Sequence, residues 1–571
     1  GEILIFDMRL VRPVAVLSTN DDGAIDWAVR PSTPFQPGQV ALEKVTVTEG
    51  QVLVKHAASG REHRLTEINA ELSATALTGP WRIDGSMRFD GMRTALQVST
   101  GTLSPEGRLR LRVRAQPERY ALDLESDGDV QLDRSAARYD GTFRLSERLP
   151  APAPGSTSTR APSYRVAGSF AVDHRGLDVS EFRMETGALD DPYRAEGHAR
   201  LSFGAQPEFE IVADGAQVRL TDGQGQDGAG TLSLQQRLSA VHTALLGLPQ
   251  PQIPGRVEVR LPALVTGDTT VRDIRLSAQP TDGGWAVEAL SAALPGRTTL
   301  EGSGKLTSTV ESFGFRGKLL LAVGQPSGFA AWLSRDVDES IRRLPAAGFS
   351  ADVDLTARRQ SLENLELILG DARFRGKALA TLPMHAAPAM QVELEGGRLD
   401  VAGLSAFVSL FVSDQGVTRL AERDLDLTVK AGPVELAGIT AATVDTAVRL
   451  RGGTLEVDRL QIGGIEGADI SATATLKDLS GPLSGSIDAS LVAGDAGPLV
   501  SLLAQRLPQV PGLAGLAARS TVYPGLLADT EIGAVVGLQP SAGGDRALSV
   551  SAQGDAGGSR FGLTLSGTGD L

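Results

Sequence analysis

An all-β fold, a meandering antiparallel sheet with a few short helices, is the class this sequence predicts, and three observations carry the prediction. Apolar and polar residues alternate with period two along most of the chain, the signature of strands whose successive side chains point to opposite faces. The alternating segments are separated by Gly, Asp-Gly or Gly-Pro steps, which read as turns and imply roughly 35 to 40 strands of about five to eight residues. Hydrophobic residues make up 41% of the chain but aromatics only 4%, beside 66 glycines. The apolar side chains are therefore mainly Leu, Val and Ala, which suit a thin β-layer better than a thick aromatic core.

Individual elements follow in chain order. In "RLRLRVRA" Leu109, Leu111, Val113 and Ala115 face one way and Arg108, Arg110, Arg112 and Arg114 the other, so one face is solvated. "YALDLES" sets Leu122 and Leu124 against Asp123 and Glu125, "MQVELEG" sets Met390, Val392 and Leu394 against Gln391, Glu393 and Glu395, and "DLDLTVK" sets Leu425, Leu427 and Val429 against Asp424, Asp426 and Lys430. The Pro/Ser/Thr-rich stretch at 150–163 predicts an extended, solvated loop or linker between an N-terminal part, 1–149, and continuing repeats over 164–571. A loose repeat joins 177–201, 362–382 and 455–476. Each has a strand, a Gly-containing turn and a second strand, with a period on the order of 90 residues. Apolar helix-like pieces are expected near 238–248, 327–344, 400–412 and 495–507.

Several chemistries are disfavoured. A net charge of −14 argues against nucleic acid, whose phosphates require a basic surface. There is no cysteine, hence no disulfide, thiolate metal site or thiol nucleophile. The six histidines stand at 56, 63, 174, 198, 242 and 385 without metal-ligand spacing, so no metal is expected. "GSGKL" (302–306) lacks the upstream glycine and the hydroxyl residue of a phosphate loop. "DLESDGD" opens like a calcium loop but has Arg134 at the twelfth position, and Asp127-Gly128 reads instead as a hairpin turn. No nucleophile elbow is written, and the paired carboxylates fall on wet strand faces. No enzyme activity and no cofactor are expected. An enzyme using Asp123 and Asp127 on polymers is a weak alternative, since four Trp and five Tyr leave little for aromatic platforms. No run of eighteen apolar residues is present. Both ends read as cut through strands, which leaves room for a signal peptide or anchoring helix upstream that this sequence does not show.

"LVRPVAVLSTNDDGAIDW" (10–27) resembles a segment of AsmA-family proteins through Pro13, Val14, Leu17, Gly23, Asp26 and Trp27. The likeness continues over 45–87 through Gly50, Gly60, Leu65, Ile68, Asn69, Gly79 and Pro80, and "LENLELILGDARFRGKAL" (362–379) resembles later parts of the same family. The proline-rich 150–163 and the missing N-terminal membrane helix depart from the pattern. The resemblance implies a repeating β-groove: an elongated, twisted antiparallel sheet curled into an open trough, with short crossing helices. It further implies a periplasmic protein anchored in the inner membrane of a diderm bacterium, carrying glycerophospholipid toward outer-membrane components, with no catalytic residues or cofactor.

A single curled sheet with few helices to cover it leaves an apolar trough, because large exposed apolar patches are not tolerated. Burial of each acyl CH₂ contributes about 0.8 kcal/mol without directional contacts, so tails can slide. The expected lining is Leu109, Leu111, Val113, Leu122, Leu124, Phe182, Met184, Leu365, Leu367, Leu369, Val392, Leu394, Leu425, Leu427 and Val429. On this reading Glu at Leu111 or Leu367 blocks passage and spares the fold. For each lining residue the alternative is closed-core packing, as in a structural or adhesive protein of two facing sheets without cargo.

Overall fold

In the computed structural model the described residues are about 70% strand and 10% helix, mostly antiparallel, the all-β class expected. The structure describes residues 3–569 except 22, 28–36, 90, 133–135, 150–161, 163, 187–191, 216–217, 220–241, 244–245, 247–250, 267–268, 310–312, 334–336, 338, 383–386, 410–423, 437, 480–482, 507, 509–511 and 541–545. The chain divides into an N-terminal unit (Gly1–Gly230, Leu238–Ala293 and Ser308–Val310) and a C-terminal unit (Thr231–Arg237, Leu294–Thr307 and Glu311–Leu571).

The N-terminal unit is built on a long strand, Val40–His56, which pairs antiparallel with Arg61–Ala74 and parallel with the short strands Ile3–Ile5, Met8–Val11 and Val14–Thr19. From Arg61–Ala74 the sheet runs strand by strand in chain order to Phe209–Gly215. It continues through a parallel step to Gly255–Thr266 and then antiparallel to Thr269–Thr281 and Gly284–Leu294. The proline-rich stretch expected as a loop or linker lies, Pro162 apart, outside the described residues; the strands on either side of it, Ala137–Glu147 and Tyr164–Val172, pair directly, with Ser146 opposite Arg165.

This sheet curls back on itself. Nε2 of His56, at the end of the long strand, lies 2.8 Å from the carbonyl oxygen of His174. Ala137 N–H donates to the Gly23 carbonyl at 3.4 Å, and Arg61 Nη2 donates to the Ala205 carbonyl at 3.5 Å. These partners lie many strands apart in the ladder, so right-handed twist accumulated over the intervening strands has brought the first strands back to the later ones. Gly23, at φ +84°, touches the His174 ring so closely that any Cβ there would collide with it.

Two sequence features produce the bending. One is a one-residue bulge that recurs in the same form: Thr66–Asn69, Val179–Phe182, Arg272–Arg275, Leu362–Leu365 and Val457–Leu460 each place one extra residue against the following strand. Bulges kink a strand and raise its twist. They recur every 90 to 115 residues or so, the scale of the loose repeat, and add the 61–74 and 269–281 strands to the three segments the sequence showed. At two of them a polar side chain holds the kink. Asn69 accepts from Glu49 N–H at 3.1 Å, and Asn364, at φ +50°, donates to Asp352 at 2.7 Å.

The other feature is glycine in mid-strand. Gly128, Gly141, Gly168 and Gly197 occupy the interiors of four strands. A Cβ on Gly128 would lie 2.1 Å from the Asp140 carbonyl oxygen of the next strand. Close backbone approach of this kind is open to glycine alone. The hairpin turn expected at Asp127-Gly128 is corrected here: both residues lie inside the strand Leu122–Leu132.

The C-terminal unit contains a second such ladder, from Phe313–Val323 to Ala347–Thr356, Arg359–Leu369, Ala372–Thr381 and Ala389–Gly396. A parallel step leads to Asp424–Ala431, and antiparallel pairing resumes from Thr443–Arg451 through to Ser559–Gly569. Helices occupy three of the places where the sequence expects them: Pro326–Leu333 with Glu339–Arg343, Val401–Ser409, and Gly497–Arg506. A further helix, Leu513–Val522, was not anticipated, and the piece expected near 238–248 falls almost wholly outside the described residues. Asp400 and Asp495 start two of the helices, each Oδ1 accepting from the N–H two residues on, at 3.0 and 2.8 Å. Counting strand directions along the ladder puts all three insertions at the same edge of the sheet.

Candidate functional site: the apolar face of the sheet

The two faces of the N-terminal sheet differ in chemistry. On the outer face Arg108, Arg110, Arg112 and Arg114 are exposed and meet the next strand in a ladder. Arg108 Nε donates to Gln131 at 2.8 Å, and Asp127 receives Arg110 Nε at 2.7 Å and Arg112 Nη2 at 2.7 Å. Arg114 pairs with Asp123. The Arg114 guanidinium holds the Asp123 carboxyl below the ordinary carboxylate range, and Arg112 followed by Arg110 does the same to Asp127. These carboxylates thus stay ionised in charge pairs at the sheet surface.

A testable pH dependence follows. A carboxyl with a folded pKa below its unfolded value of about 3.9 contributes stability above that value, and the contribution disappears as pH falls through the folded pKa. Melting temperature is expected to hold steady from pH 7 to about pH 5 and to fall below about pH 4, less steeply in Asp123→Asn. Thermal melts across that range measure it, and a decline beginning above pH 6 would contradict it.

The inner face is apolar and only half-buried. Leu109, Leu111, Val113 and Ala115 face Val130, Gly128, Ser126 and Leu124 on the next strand, which in turn face Tyr139, Gly141, Phe143 and Leu145. Further along, Phe170 lies opposite Gly141, and Phe182 lies between Gly168 and Gly197. Aromatic rings and glycines therefore alternate across the middle of the face. The Phe143 and Phe182 rings reach over the positions where Cβ atoms of Gly168 and Gly197 would stand. Tyr139 and Phe170 meet edge to face at 4.8 Å, and the Tyr139 hydroxyl donates to Ser126 Oγ at 2.9 Å. Burial pushes the Tyr139 pKa up, so the hydroxyl stays a donor.

Of the expected lining, Leu109, Leu111, Val113, Leu124, Phe182 and Met184 are half-buried on this inner face, while Leu122 is 9% exposed. Most of their outward neighbours are exposed, and among the described residues of this unit no second sheet covers them. Partial shielding without a covering layer is what a concave sheet surface provides. A hollow of about 400 Å³ lies elsewhere, at the Phe89–Met92 hairpin end, lined by Arg88, Gly91, Met92, Arg93, Glu118 and Arg119.

The C-terminal unit treats the same pattern differently. Leu365, Leu367, Leu369, Leu394 and Val429 are each 7% exposed or less and belong to one cluster with Phe374, Leu399 and Phe407. Phe407 comes from the Val401–Ser409 helix, so part of the covering is that helix. Val392 and Leu427 pack against the same cluster, and Leu425 is half-buried. For this stretch the expectation of an uncovered lining is corrected: protein, not solvent, lies over these leucines. Beyond it, half-buried Ile532, Ala534, Val536 and Leu538 face Gly554, Ala552, Val550 and Leu548, and the first three of these face the exposed Phe561, Leu563 and Leu565. This second apolar stretch had not been singled out in the sequence, although its alternation is as regular as the rest.

Among the described residues no group of three or more His, Asp or Glu side chains could hold a metal ion, and no helix is long and apolar enough to cross a membrane. No protein-family model matches the chain, and no curated protein matches it.

Proposed function

We propose that this chain is a lipid-carrying β-groove protein of the AsmA kind, holding acyl chains of glycerophospholipids against the concave apolar face while head groups stay in water. The observation that carries the proposal is the inner face of the N-terminal unit. It is a curled sheet lined by Leu, Val and Phe, half-exposed, with a charged ladder on its outer side and no covering sheet among the described residues. The sequence resemblance over 10–87 and 362–379 supports the same reading. So does the chemistry of the face, because acyl burial is favourable at every position and directional at none. On this reading the protein works in the periplasm of a diderm bacterium, tethered to the inner membrane by a segment outside this chain and delivering lipid toward outer-membrane components. No chemical step is required of it.

The covered stretch at Phe407 keeps a second reading in play, that of a structural β-repeat protein with a closed core. Organic extraction of purified protein followed by mass spectrometry separates the two. Co-purified phospholipid is expected, and its absence, when a known lipid carrier handled in parallel retains its own, would favour the structural reading.

A further inference from the structure

The helix Leu513–Val522 has no fully buried residue. Ten-residue helices are marginal in water unless an apolar face is packed, and this one directs apolar side chains outward. Its partner Gly497–Arg506 is rooted in the sheet, with Leu499, Val500, Leu502 and Leu503 against Ala468, Ala493, Leu527 and Ala556. On the second helix Leu513, Ala517 and Ser520 form the half-buried row. The flanking side presents Leu516 and Arg519, Val522 lies opposite the row and Tyr523 caps the helix end; Leu516 is 38% exposed, Val522 67%, Tyr523 64% and the nearby Leu526 38%. The whole stretch from Gly497 to Ala528 contains no Asp or Glu, and its only charges are Arg506 and Arg519. In a chain with 69 acidic residues and a net charge of −14, acid-free, arginine-bearing stretches of this length are few, 228–257 being another, and this one carries the exposed apolar helix.

We infer that the helix pair Gly497–Arg506 and Leu513–Val522, with the Tyr523–Leu526 extension, docks on the surface of an anionic lipid bilayer. Val522, Leu516 and Leu526 enter the acyl boundary and Tyr523 sits at head-group depth, where its ring is apolar and its hydroxyl wet. Arg519, on the same helix side, meets lipid phosphates, and the absence of carboxylates removes the repulsion that the rest of the chain would impose. The arrangement suits shallow, reversible contact, and it does not depend on whether the inner face carries lipid.

The test is co-sedimentation of the full chain with vesicles of phosphatidylglycerol and phosphatidylethanolamine, and with phosphatidylcholine vesicles. The wild type is expected to partition onto the anionic vesicles, more weakly at high salt. Val522→Asp with Tyr523→Asp should lower the partition coefficient at least tenfold at unchanged melting temperature, because both side chains are exposed. Arg519→Glu should selectively reduce binding to the anionic vesicles. Equal binding by wild type and double variant, or no binding by the wild type, overturns the inference. So does a vesicle-free dimer that the double variant turns into a monomer, since a second copy would then be what covers the patch.

Discussion

Leu367→Glu is expected to destabilise the C-terminal unit strongly, whereas Leu111→Glu is expected to leave the fold in place and, on the proposed lipid-carrying reading, to abolish lipid retention. Both leucines lie on alternating strands and read alike in sequence. Leu367 is 6% exposed and packed in the cluster that includes Phe374, Leu394 and Phe407. A glutamate there either stays charged in an apolar surround or takes up a proton, and it also forfeits the leucine's packing. A loss of about 3–5 kcal/mol is expected, a large fraction of the total stability of a typical domain. The sequence-based expectation that Glu at Leu367 would spare the fold is thereby reversed. Leu111 is half-buried on the inner face opposite Gly128, where a carboxylate reaches water at small cost but places charge in the path proposed for acyl chains. Chemical denaturation and lipid extraction of the two variants measure both halves. Equal destabilisation by both would mean that the inner face of the N-terminal unit is a closed core after all.

Gly128→Ala carries the second large effect. A Cβ at Gly128 meets the Asp140 carbonyl oxygen at 2.1 Å and the Gly141 Cα at 2.7 Å, both backbone atoms of the facing strand. Neither can give way without separating the strands, so a loss of about 2–3 kcal/mol is expected, at the upper end for overpacking. Gly533→Ala is the control. It also lies within a strand, but nothing stands within 4 Å of its Cβ position. There the substitution should be neutral or stabilise by about 0.5 kcal/mol through the unfolded chain. Similar losses in both would show that strand glycines matter here for propensity and not for close approach. If Gly128→Ala also reduces lipid retention, the mid-strand glycines shape the face that holds the cargo.

How much of this was legible beforehand varies by element. Alternation in "RLRLRVRA" placed every arginine on the wet face and every leucine on the other, because strand geometry is local and two residues suffice to repeat it. The helix at 401–409 was legible from its apolar run after Asp400, and the loose repeat from its recurring Gly turns. Asp127-Gly128 misled because the dipeptide that favours a tight turn also permits close approach inside a strand, and only the neighbouring strand's backbone distinguishes the two uses. The bulge in each repeat, such as Leu362–Leu365, was hidden because its partner residues Ala378 and Gly376 lie beyond the next turn.

By itself the sequence determined which residues share a face, where three of the helical insertions fall and that the sheet repeats, since each of these depends on neighbours a few positions apart. Only the tertiary structure decided what lies over each face. Leu111 and Leu367 differ not in their own strands but in whether a distant side chain such as Phe407 arrives to cover them. Coverage is a property of segments far apart in the chain, and strand periodicity cannot record it.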